Sequence, residues 1–146
     1  MLDEIDFKIL RELLSNARLS CRQIAKRVGV TTGTVLSRMR RMEREGIIRG
    51  YSAILDHEKL GYELTVVTEV VVSKGRLIEM EREIAQHPSV CSVYDVTGQT
   101  DAIIIAKFKN RRELSNFTKT LLALPYVERT NTHVVLNTVK EDFRIL

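Results

Sequence analysis

Ser20 to Gly50 reads SCRQIAKRVGVTTGTVLSRMRRMEREGIIRG, and the order of signals in it decides the fold. Ser20, followed three residues later by Gln23, is the pair of a capping box. It predicts a short helix to about Val28 with Ile24, Ala25 and Val28 on its buried side. Gly29 ends that helix, as glycine does just past a helix end. After a tight turn, Thr31 is placed to cap a further helix running to about Glu45, and Gly46 stops it. At about 100° per residue, Val35, Met39 and Met42 share one face of this helix. Thr34, Ser37, Arg40, Arg41 and Arg44 lie on the opposite side, with Arg38 on a flank.

On the N-terminal side, Leu2 to Ser15 carries Ile5, Ile9, Leu10, Leu13 and Leu14 at helical spacing. Asp3, Glu4 and Asp6 suit the positive end of that helix's dipole. On the C-terminal side, Ile47 to Leu55 alternates like a strand, with Gly50 as a turn. Three helices followed by a strand pair is the layout of a winged helix-turn-helix. A helix apolar on one side and rich in Arg, Ser and Thr on the other suits a DNA major groove. Short Thr34 and Ser37 reach base edges, and arginines reach phosphates or guanine. Thr31, Thr32 and Gly33 at the helix start and Arg22 on the preceding helix complete the candidate DNA-contacting set. Gly33 weakens the helix but permits close backbone approach.

Charge points the same way. The 146 residues carry 23 Lys+Arg and 19 Asp+Glu, a net +4. Residues 18–49 hold nine of the basic groups and two acids, whereas residues 61–146 hold eleven of each. The positive charge is therefore concentrated around the helix pair. Hydrophobic content of 44% and charged content of 29% exclude global disorder. No apolar run approaches the ~18 residues of a membrane span, and the acidic start is unlike a signal peptide. Cys21 and Cys91 stand alone, far from any disulfide or metal spacing, and are expected to be small buried hydrophobes. His57, His87 and His133 share no metal spacing either. A reduced cytoplasmic setting with no metal or cofactor is the expectation.

The remainder has another rhythm. Glu63–Ser73 reads as a strand and Arg76–His87 as a helix with Leu77, Met80, Ile84 and Ala85 inward. Val90–Thr97 and Asp101–Phe108 read as strands. Arg111–Leu124 reads as a helix with Leu114, Phe117, Leu121 and Leu122 inward, and Val127–Val139 as a last strand. Pro88 and Pro125, the only two prolines, follow the two helices at equivalent places. The order β-α-β-β-α-β predicts a ferredoxin-like unit with one sheet face open. Both faces of the first strand are partly apolar, so the open face is expected to meet another subunit. The predicted class is α+β. It comprises a DNA-binding domain over 1–55, a linker over 56–62 and an αβ domain over 63–146.

The strings LDEIDFKIL, IAKRVGVTTGTVLSRMRRMEREGIIRGY, LDHEKLGY and TGQTDAIIIAKF, in that order along the whole chain, resemble the Lrp/AsnC (feast/famine) transcription regulators of bacteria and archaea. The resemblance implies a prokaryotic, nucleoid-associated regulator of amino-acid metabolism genes and a double-stranded DNA partner. It also implies dimers assembling to tetramers or octamers, and a small effector, often an amino acid. Arg38 matches an arginine of the family's recognition helix, and Thr31 its N-cap. Gly98 and Asp101 match a Gly-x-x-Asp turn near which effectors bind, with Gln99 and Thr100 between them. Gly and Asp are also default turn formers, so an ordinary turn and a ligand site both remain open there. Thr100 stands where relatives often carry an aromatic or hydrophobic residue, so effector identity does not transfer. Thr130, Asn131 and Thr132 resemble a polar stretch facing the same pocket. Siroheme decarboxylases share the fold, but VCSVYDVTG lacks their ring-binding His and Arg groups, so an enzyme is not expected. A DNA-organising protein with little sequence choice is the other alternative, because phosphate contacts alone give non-specific binding.

Overall fold

Helix α1 spans Glu4–Ser15 and begins at Asp3. The Asp3 carboxylate accepts the Asp6 amide and the Asp6 carboxylate accepts the Asp3 amide, each at 3.0 Å. Reciprocal capping satisfies two donors that a helix start otherwise leaves open. Helix α2, Cys21–Val28, starts on the expected Ser20–Gln23 box and ends on Gly29, whose φ of 84° is costly for any other residue type. Helix α3, Thr32–Arg44, is capped by Thr31. A computed structural model describes residues 1–146, in two compact units: 1–54 with 140–146, and 55–139. Within the first unit, Arg144 donates to the Leu14 carbonyl at 3.4 Å.

The core of the first unit is Ile9, Leu13, Ile24, Ala25, Val35 and Met42. Met39 packs only partly against it. The expected strand pair over 47–55 does not form. Ile47 and Ile48 donate their amides to the Met42 carbonyl at 2.8 and 3.1 Å, closing the end of α3. Tyr51 then donates its hydroxyl to Glu43 at 2.9 Å. Alternation alone does not make a strand, because an isolated two-stranded hairpin is marginal in water and no further strand pairs with this segment. Instead Ile47, Ile48, Tyr51 and Ile54 border a groove of about 580 Å³ against Leu10, Leu13 and Leu14 of α1.

The second unit runs β1 (Leu64–Val72), α4 (Leu77–Ile84), β2 (Val90–Asp95), β3 (Ala102–Phe108), α5 (Arg111–Ala123) and β4 (Val127–Val134). The strands are ordered β2-β3-β1-β4, all neighbours antiparallel. This is the expected ferredoxin-like arrangement. Val66, Val70 and Val72 of β1 and Ala102, Ile104, Ala106 and Phe108 of β3 point into one core. Met80 and Ile84 of α4 and Phe117 and Leu121 of α5 fill it from the same side. The opposite face, with Val67, Glu69, Val71, Ile103 and Ile105, stays half-buried within this unit. The β1–β4 register slips between Val71 and Val72.

Four expected burials are corrected. Ala85 lies past the end of α4 and is exposed. Leu122 is 51% exposed because the turn of α5 that buries Leu121 carries its neighbour outward. Cys91 is exposed and Cys21 half-buried; neither is in a disulfide. No helix is long and apolar enough to cross a membrane.

Candidate functional site

The outer side of α3 is where the basic groups collect. Thr32, Gly33, Ser37, Arg40 and Arg44 are exposed, and Arg22 is exposed on α2. Gly33, Leu36, Ser37, Arg40 and Arg44 border one shallow concavity of about 460 Å³, together with Arg38 and Arg41. Thr34 is only half-exposed, and its hydroxyl sits 2.8 Å from that of Thr31. The Thr31 hydroxyl also accepts the Thr34 amide at 3.2 Å, so it caps the helix while Thr31 stays exposed.

Arg38 and Arg41 differ from the other arginines. Arg38 Nη1 donates to Asp3 Oδ2 at 2.5 Å and to Asp6 Oδ1 at 3.2 Å. Arg41 Nη2 donates to Asp6 Oδ2 at 2.5 Å. The Asp6 side chain has no solvent exposure. Burial pushes the Asp6 carboxyl up, but the Asp3 amide and the two guanidinium groups outweigh it and hold it below its usual range. Arg38 and the Asp6 amide hold Asp3 down at about 2. The capping box of α1 thus doubles as an anion site for two arginines of α3. Arg22, Arg40 and Arg44 have no acidic partner within the chain and keep their charge for an outside anion. The sequence placed all five in the DNA-contacting set and set Arg38 on a flank, because nothing local to α3 shows which arginines find an acid on another helix.

A second candidate lies on the open sheet face. Glu69 and Val71 of β1, Gln99 and Thr100 of the β2–β3 turn, and Arg129 and Asn131 of β4 line a cavity of about 220 Å³. Glu69 Oε2 accepts from Asn131 Nδ2 and meets His133 Nε2, each at 2.9 Å. These partners, His133 first, lower the Glu69 carboxyl below its usual range. A carboxylate and a guanidinium therefore face one small cavity, complementary to the ammonium and carboxylate of a zwitterion.

The expected effector residues are only partly brought together there. Gln99 and Thr100 line the cavity; Gly98, Asp101, Thr130 and Thr132 do not. Asp101 finishes the β1–β3 ladder: its amide donates to the Val70 carbonyl and its Oδ2 accepts the Val72 amide, both at 2.9 Å. Thr100 donates its hydroxyl to the same Val70 carbonyl at 3.0 Å. Thr130 and Thr132 pair with Val70 and Thr68, which places them on the helix-covered face. Glu69, Val71 and Arg129 were missed, and Asn131 rather than its two threonine neighbours faces the cavity. The signal that finds them is the pairing of Glu69 with Asn131 and of Val71 with Arg129. No three His, Cys, Asp or Glu side chains converge as a metal site.

Residues 2–49 match the family described as winged helix-turn-helix DNA-binding, and residues 65–145 match the Lrp/AsnC ligand binding domain. An HTH-type transcriptional regulator of Pyrococcus abyssi is 46% identical over 99% of both chains. The HTH-type transcriptional regulator FL11 of Pyrococcus horikoshii is 36% identical over 96% of this chain and 93% of its own. Among solved structures, a transcriptional regulator of Neisseria meningitidis in complex with L-methionine superposes with a TM-score of 0.90 at 29% identity, covering 100% of this chain and 97% of that one.

Proposed function

This chain belongs to the Lrp/AsnC family of DNA-binding transcriptional regulators, and from that premise we propose that it selects particular operator sequences through α3 and responds to an amino acid held between β1 and β4. The observation that carries the effector reading is the cavity with Glu69 on one side and Arg129 on the other. An α-amino acid presents the two charges that such a cavity neutralises. The methionine carried by the similar Neisseria regulator makes L-methionine the first compound to try.

The open sheet face supports a second part of the proposal. Val67, Val71, Ile103 and Ile105 sit there half-buried, side by side on two paired strands. A largely apolar face of this kind, with Glu69 set among its valines, is covered by association. A homodimer, with further assembly to a tetramer or octamer, covers it with a second copy. Binding of an effector at the edge of that face would then shift the equilibrium between assemblies, and with it the spacing of the DNA-binding units. The protein acts in the cytoplasm, on the nucleoid, and its role is regulatory rather than catalytic.

Selection of bound duplexes from a random DNA pool, with and without pooled amino acids, tests the whole reading. An enriched site whose recovery changes with amino acids supports it. A pool that stays random assigns a DNA-organising role instead. An enriched site with no amino-acid effect, and no calorimetric heat for any of them, removes the effector.

A further inference from the structure

The outward stripe of α3 contains one side chain that neither the core nor the charge pattern accounts for. Leu36 is 38% exposed and shares its concavity with Gly33, Ser37, Arg40 and Arg44. The first unit's core draws on Val35, Met39 and Met42 of this helix and leaves Leu36 out. A solitary exposed leucine is ordinary on a protein surface. This one lies three residues after Gly33 and four before Arg40, the spacing of neighbours on one helix face.

Gly33 adds an independent observation. Its φ is not positive, and a Cβ placed on it would meet nothing within 4 Å. Neither backbone geometry nor packing inside the chain calls for glycine at that position, and glycine within a helix weakens it. What the missing side chain leaves is clearance on the outer surface, beside Leu36.

We propose that Leu36 reads the 5-methyl group of a thymine in the major groove, with Gly33 supplying the clearance for the helix to approach that base. The inference rests on α3 being the helix that enters DNA. The thymine methyl is the apolar feature of the major-groove edge, and an aliphatic side chain is the partner that suits it. Arg38 and Arg41 are held by Asp3 and Asp6. That leaves Arg40 and Arg44 to grip phosphates on the same stripe while Leu36 discriminates.

The test uses a duplex selected by the protein from a random pool, with each thymine replaced singly by uracil. That exchange removes one methyl and keeps the hydrogen-bonding edge. Wild type should lose about fourfold in affinity at one position of the site or its symmetry mate, the effect of one buried methyl. Leu36→Ala should bind the all-thymine duplex more weakly and show no further loss at that position. Gly33→Ala should melt no lower than wild type yet bind more weakly. Uracil tolerated throughout a selected site, or the same uracil sensitivity in Leu36→Ala, overturns the methyl contact alone. Failure to select any sequence overturns it together with the reading it rests on.

Discussion

Asp6 and Arg38 are 32 residues apart in sequence and 3.2 Å apart in the folded chain, where the arginine joins the start of α1 to the middle of α3. Asp6 is fully buried, whereas Arg38 and Arg41 keep 25% and 33% of their side-chain exposure. The ion pairs therefore tie α3 to the start of α1 along its inner edge.

Replacing Asp6 should cost stability before it touches DNA contact. Asp6→Asn leaves two guanidinium groups facing a neutral amide. We expect a loss of about 2 kcal/mol in urea unfolding, less than for a fully buried pair because both arginines still reach water. Asp3→Asn, at an exposed site, should change stability much less.

The same acids set a pH window. Asp3, at about 2, and Asp6, below its usual value of 3.8, are both depressed on folding. Depressed carboxyls stabilise the fold above the unfolded value and lose that stabilisation as pH falls through the folded one. Asp142, held at about 2 by Arg144, adds to the same window. Hydrogen exchange at α1 and α3 amides should therefore speed up as pH drops from about 4 towards about 2, after correction for intrinsic rates. In Asp6→Asn the acceleration should be shallower.

Arg40→Ala and Arg44→Ala should behave unlike Arg41→Ala. The first two arginines have no acid partner, so their loss should leave melting unchanged. Each should lower the slope of log affinity against log salt by about one, the share of one phosphate contact. Arg41→Ala should instead lower the melting temperature.

Two strand residues should govern effector binding. Arg129→Ala and Glu69→Gln each remove one charge from the cavity, and amino-acid affinity measured by calorimetry should fall about tenfold or more. Thr130→Ala, on the covered face, should bind normally. Equal losses in all three variants would mean that the cavity is not the site.

Ile105 sits near the middle of the open sheet face, opposite Val67. Ile105→Glu should shift sedimentation to a smaller species with an unchanged circular dichroism spectrum. An unchanged sedimentation coefficient would remove this face from the assembly.

Local signals in the sequence carried most of the fold. Ser20, Gln23, Gly29 and Thr31 each act within four residues of themselves, so the helix ends were legible. Alternation in β1 and β3 was legible because their buried positions are uniformly apolar or small, Thr68 excepted. The strand VERTNTHV is polar on both sides, and pairing of Glu69 with Asn131 is what decides its faces. That is why Thr130 and Thr132 were expected in a cavity that Arg129 and Asn131 line. Ile47 to Leu55 has a strand's pattern without a partner strand. The ion pairs of Asp6 were illegible for another reason: an acid in a first helical turn is already explained by the dipole.

The slip between Val71 and Val72 bears on how a bound molecule would be felt. Val71 pairs with Arg129, and both line the cavity. At such an irregular step a strand bends and its right-handed twist increases. The cavity walls thus meet beside the one irregular step of the β1–β4 pair. A guest between Glu69 and Arg129 would sit at that bend, not on the regular ladder beyond it.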